Sequence, residues 1–114
     1  MVKRAYIPDR GNIVWVTLNP QKGREQKGRR PAFVLSPKLY NAKSELALMC
    51  PITSRKKGYP FEVLVNAGEI SGVILADQIR ALDWSARHAK FIAKASQNVI
   101  KDVQEKLSLL ISGE

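Results

Sequence analysis

The hydrophobic and polar positions change their period along the chain. Residues 12–19 (NIVWVTLN) crowd β-branched side chains around Trp15, the make-up of a strand, and Asn19-Pro20 stops it. Residues 31–36 are short and apolar throughout, as a strand buried on both faces would be, and Ser36-Pro37 breaks the run. A single helical turn is expected over 38–43, then strands over 46–53 and 61–65. Asn66-Ala67-Gly68 turns the chain, and Ser71-Gly72 is expected to turn it again. Further strands are expected over 73–76, 78–84 and, from a weaker signal, 89–93. The tail differs: Val99, Ile100, Val103, Leu107, Leu110 and Ile111 recur three and four apart, the stripe of an amphipathic helix. Ser96 can cap its start, Asp102 and Lys106 are spaced to pair, and Gly113 can end it. Six or seven short strands with Gly and Pro turns, followed by one helix, predict a compact β-barrel rather than a doubly wound sheet.

Composition narrows the setting. With 114 residues and 45% apolar content the chain is expected to form one domain over 1–114. No apolar run approaches the roughly 20 residues of a membrane helix, so no membrane association is expected. The first residues, MVKRAYIPDRGN, lack the apolar core of a secretory signal. A lone cysteine, Cys50, cannot form an internal disulfide; it fits a reducing cytoplasm and, within its apolar run, a buried side chain. Nineteen Lys and Arg against ten Asp and Glu leave a formal charge of +9, a field that draws polyanions: a nucleic acid or an acidic protein.

The candidate chemistry follows from what is missing as much as from what is there. One histidine, His88, excludes a two-histidine acid–base pair within a chain, and its expected place is the surface. One Cys and one His make no zinc set, and neither a phosphate-binding glycine loop nor a GxSxG elbow is present, so no metal or cofactor is expected. What stands out is GREQKGRRP (23–31), with Arg24, Lys27, Arg29 and Arg30 around the single carboxylate of Glu25, and a second basic loop, SRKKGYP (54–60). Cleaving RNA requires a group to take the 2′-hydroxyl proton and charge to stabilise the phosphorane. A carboxylate suits the first task and a guanidinium fork the second. If the two loops lie on one face of a barrel, Glu25, Arg30 and Thr53 can converge on one phosphate. The same residues also admit plainer roles: a local salt bridge for Glu25, a solvated charge for Arg30, a strand-end hydroxyl for Thr53.

Six motifs, in order, carry a resemblance: GNIVWV (11–16), GREQKGRRP (23–31), PAFVLSP (31–37), CPITS (50–54), KGYPFEV (57–63) and GVILADQIR (72–80). Together they resemble the MazF/PemK/Kid family of toxin–antitoxin endoribonucleases over nearly the whole chain. The resemblance implies a mainly β, SH3-like barrel of the MazF/CcdB type closed by a C-terminal helix. It also implies a metal-independent, ribosome-independent enzyme that cuts single-stranded RNA at short motifs, leaving 2′,3′-cyclic phosphate and 5′-hydroxyl ends. It puts the essential Arg on Arg30, the essential Thr on Thr53 and an acidic site position on Glu25. Gln26, Arg29, Lys57, Gln78, Arg80 and Arg87 fall at RNA-groove positions, and Tyr59 or Trp15 could stack a base, although Trp15 also suits a core. Many relatives carry His where this chain has Arg29, a change that bears on base preference. The implied partners are a second copy of the chain and an acidic MazE/PemI-type antitoxin that competes with RNA for the groove; the implied location is the cytoplasm. Two alternatives remain open. One is a CcdB-like gyrase inhibitor, whose relatives end in Trp-Gly-Ile where this chain ends Ile111-Ser112-Gly113-Glu114. The other is a non-catalytic RNA-binding barrel.

Overall fold

A computed structural model describes residues 6–17 and 28–113. It contains strands β1 (Asn12–Thr17), β2 (Arg29–Val34), β3 (Ala47–Thr53), β4 (Glu62–Ala67), β5 (Ile70–Leu75), β6 (Arg80–Leu82) and β7 (Lys90–Lys94). Two helices, α1 (Lys38–Ser44) and α2 (Gln97–Ser112), complete it. The strands form one antiparallel sheet in the order β4-β5-β3-β2-β1-β7. β2 lies along one edge of β3. The other edge is divided, with β6 pairing Ala47–Met49 and β5 pairing Ile52 and Thr53. One strand serving two partners on a single edge curls the sheet on itself: the expected mainly β, SH3-like barrel with its C-terminal helix is present as a half-barrel.

Period-two alternation assigns the side chains of the central strands to two cores. Ile13, Phe33, Cys50 and Ile52 face the inside of the curl, where Ile100 and Val103 of α2 cover them. Val14, Val16, Ala32, Val34, Ala47 and Met49 face the other way and pack under Tyr6, Leu82, Trp84 and Ala89. The two-sided burial expected for β2 is therefore present, and it extends to β1 and β3. Each large side chain so buried contributes about 1.5–3 kcal/mol.

Several boundaries differ from expectation, each for a local reason. β2 begins at Arg29 rather than residue 31 because Arg29 and Arg30 pair with Thr17 and Val16 of β1. The last two cations of the basic segment thus lie on a strand, whereas Arg24, Glu25, Gln26 and Lys27, together with the expected end of β1 at Asn19, fall outside the described residues. Ser71-Gly72 is not a turn: both residues lie inside β5, and the hairpin turns instead at Gly68-Glu69. β6 starts only at Arg80, after a turn that the Gln78 backbone N–H closes on the Leu75 carbonyl.

The expected helical turn after Pro37 becomes α1 because distant groups satisfy it. Its first residue, Lys38, donates its backbone N–H to the Asp9 carboxylate at 2.9 Å. Buried Asn41 donates to the Pro8 and Ser36 carbonyls and accepts from the Ser36 hydroxyl. Trp84 Nε1 donates to the Asn41 carbonyl, and the Ser36 hydroxyl also accepts from Leu48 N–H. α2 follows its sequence signals closely. The Ser96 hydroxyl accepts from Val99 N–H, Gly113 ends the helix at φ 77°, and Lys106 Nζ lies 3.1 Å from Asp102. Its expected apolar stripe is buried only in part, for Leu110 and Ile111 are exposed.

Candidate functional site

The register of β2 on β3 sets the site. Val34 lies opposite Met49, Phe33 opposite Cys50 and Ala32 opposite Pro51. The pairing ends there, two residues short of Arg30 on β2 and of Thr53 on β3. Both line an open groove of about 710 Å³. β3 lies between β2 and β5 in the sheet, so the groove is lined by Pro51 to Thr53 at the end of β3 with Ser54 and Arg55 beyond, by Arg30 and Pro31 of β2 on one side, and by Glu69 of the β4–β5 turn with Ile70 and Ser71 of β5 on the other.

Thr53 is positioned by three neighbours. It pairs with Val73 of β5, and its hydroxyl oxygen accepts the Arg55 backbone N–H at 3.1 Å. An oxygen that accepts this bond keeps its own hydrogen to donate. Gly72 makes room for the strand end: a Cβ at that residue would collide with the Thr53 carbonyl oxygen and approach Ser54 Cα at 3.3 Å. Both obstacles are backbone and cannot rotate away.

A smaller pocket of about 290 Å³ adjoins Thr53, lined by Arg55, Lys57, Tyr59, Phe61, Glu62, Leu75, Asp77 and Gln78. The Glu62 carboxylate shapes it by accepting Lys57 N–H at 3.0 Å and Gly58 N–H at 2.9 Å, which folds residues 55–60 over the strand end. Gly58 takes φ 83°, a backbone conformation open to glycine. Tyr59 is 60% exposed, so its ring face is available to a flat ligand.

The other sequence-predicted residues are spread more widely. Arg29 is stacked on Trp15, its guanidinium carbon 4.2 Å from the ring centroid, and Trp15 itself packs against the inner core. Arg29 thereby occupies the face that a base would need. Arg87 holds the end of β1: its guanidinium donates to the Thr17 carbonyl at 3.1 Å, and its own carbonyl accepts Thr17 N–H at 2.9 Å. Arg80 is exposed on β6, opposite Met49, and lines neither cavity. Glu25 and Gln26 lie outside the described residues. His88 is exposed at the end of a turn, at φ 56°. Cys50 is buried; burial, and secondarily the charge of Asp77, pushes its thiol up to about 12, leaving it without a thiolate at neutral pH. Among the described residues no group of three His, Cys, Asp or Glu side chains is placed to hold a metal ion.

Sequence reasoning missed Glu62, Glu69, Ser71 and Asp77. Asp77 lay inside a motif already singled out, one residue before Gln78. Glu69 and Ser71 reach the groove only because β5 pairs with the end of β3, a contact that no local pattern announces.

Comparison with known proteins adds an independent line. A family described as PemK-like, MazF-like toxin of type II toxin–antitoxin system matches residues 9–111. The chain is 44% identical over 111 residues to the endoribonuclease toxin MazF of Escherichia coli K12, covering 97% of this chain and 99% of that protein. It is 35% identical to the endoribonuclease toxin ChpB of the same organism, with the same coverage. Among solved structures, MazF from Deinococcus radiodurans superposes with a TM-score of 0.83 at 50% identity, covering 95% of this chain and 99% of that one.

Proposed function

The chain belongs to the PemK-like, MazF-like toxin family of type II toxin–antitoxin systems, and on that premise we propose that it is an endoribonuclease toxin cutting single-stranded RNA at short motifs. The observation that carries the reading to particular atoms is that Arg30 and Thr53 line one groove.

The roles follow from the chemistry of each group. The Arg30 guanidinium presents a planar fork of N–H donors, so its task is to bind two phosphate oxygens and stabilise the added negative charge of the phosphorane. The Thr53 hydroxyl, held by Arg55 N–H, donates to a third oxygen. Glu25 is proposed to take the 2′-hydroxyl proton. That oxygen then attacks phosphorus, the bond to the 5′-oxygen breaks, and the leaving oxygen takes a proton from water, so the products are a 2′,3′-cyclic phosphate and a 5′-hydroxyl. With charge supplied by Arg30, no metal is called for.

The pocket beside Thr53 suits a neighbouring base, with Tyr59 as its stacking face, Gln78 as donor and acceptor, and Lys57 near the next phosphate. Arg29 and Arg80 add charge along the path of the strand. Arg87 acts by fixing the end of β1. The MazE–MazF complex from D. radiodurans superposes with a TM-score of 0.83 at 46% identity. An acidic antitoxin of that kind competing for this cationic groove, a homodimeric assembly and action in the cytoplasm belong to the same reading. The described residues include no helix long and apolar enough to cross a membrane.

The test is to map the 5′ ends made from a long defined RNA, in excess EDTA, by wild type and by Arg30→Ala. Discrete cuts sharing a short motif are expected, reduced about a hundred- to a thousandfold in the variant. Intact RNA from the wild type would overturn the nuclease reading and turn attention to RNA gel shifts and gyrase inhibition.

A further inference from the structure

The groove built to receive a polyanion contains one carboxylate among its described lining residues, Glu69. Its side chain is exposed and makes no hydrogen bond or ion pair within the described protein. Its backbone, by contrast, is fixed on both sides. Gly68, at φ 58°, sits so close to β7 that a Cβ there would lie 3.1 Å from the Ala93 Cβ. Ile70 is buried in the inner core. Glu69 is thus a carboxylate delivered to the wall facing Arg30, with Ser71 two residues beyond it on the same wall.

A negative charge there repels every phosphate in the groove, so its natural counterpart is a hydrogen-bond donor on the nucleic acid. We propose that Glu69 is a specificity residue that accepts N–H groups from the Watson–Crick edge of one base beside the scissile phosphate. A carboxylate only accepts, so it matches the amino groups of adenine, cytosine or guanine. It disfavours uracil, whose single N–H lies between two carbonyl oxygens. This inference rests on the nuclease reading and adds to it a rule at one position: an amino-bearing base is required and uracil is rejected.

The experiment uses full-length protein and a pool of RNAs randomised across the cleaved window, with 5′ ends mapped for wild type, Glu69→Gln and Glu69→Asp. A glutamine amide both donates and accepts, so it can meet the N–H and a carbonyl of uracil. Glu69→Gln is expected to admit uracil at one position, raising its relative use there about tenfold or more. Glu69→Asp should keep the rejection. An unchanged motif in Glu69→Gln would overturn the proposal. So would a general loss of cutting with the motif intact and the pH–rate profile altered, which would instead make Glu69 the group that takes the 2′-hydroxyl proton. A wild-type protein that cuts no RNA would remove the nuclease reading first, and this inference with it.

Discussion

At the level of single residues, the site depends on hydrogens held in particular places. The Thr53 oxygen is already an acceptor, so the proposed function uses only its O–H. Thr53→Ser should therefore retain most cleavage, and Thr53→Val should lose about a hundredfold or more in single-turnover rate, as removal of a transition-state donor does. Cys50 gives a stability prediction of known sign. Its pKa is raised from 9.0 to about 12 in the folded protein, so its contribution is fully present below pH 9 and is lost as pH rises through the folded value. Between those values the unfolding free energy should fall as pH rises, because the unfolded state releases this proton first. Denaturant melts from pH 8 to 11 should show that slope, and Cys50→Ala should lessen it. Asn41 has the most to lose on truncation. Asn41→Ala leaves the buried Pro8 and Ser36 carbonyls short of a donor and should cost about 2–5 kcal/mol.

At the level of elements, the close approach of β5 to β3 ties activity to packing. Gly72→Ala forces a methyl group against the Thr53 backbone, a clash that should destabilise the protein by about 1–3 kcal/mol. It should also shift Thr53, so cleavage should fall in protein that is still folded, as judged by circular dichroism below the melting transition. Some elements were plain in the sequence. Helix α2 was legible from its stripe, its Ser96 cap and its Gly113 stop because those signals are local. The seven strands were legible from apolar runs and turn residues, with edges wrong by up to three residues. Ser71-Gly72 was misread because a glycine needed for close approach resembles one needed for a turn. The start of β2 was misread because two arginines look like loop until Val16 and Thr17 are there to pair with them. Arg30 and Thr53 were found through a motif, whereas the groove they share and the place of Glu69 in it come from strand pairings far apart in the chain.

At the level of the whole molecule, the formal +9 charge should govern how RNA arrives. If Arg30, Arg55 and Lys57 each neutralise one phosphate, log affinity should fall with log salt at a slope of about −2. Arg30→Ala should make that slope shallower by about 0.7. Fluorescence anisotropy with a non-cleavable 2′-deoxy strand reads both. The same field favours an acidic protein competitor, whose binding should weaken in parallel as salt rises.

The packing of β1, β2 and β3 on both faces has a consequence for how such a site tolerates change. A sheet with one wet face finds its alignment by keeping greasy side chains out of water, but here both faces are dry and that cue is absent. Size must distinguish them. Phe33 fits only toward Ile13 and Cys50, and Ala32 leaves only a shallow space beside Val14 and Pro51. The step from small to large between these two neighbours acts as the notch of a key, keeping β2 and β3 from sliding by one rung. Arg30 and Thr53 line one groove beyond that notch. Variation that evens out the two volumes could silence the toxin while leaving its groove residues untouched.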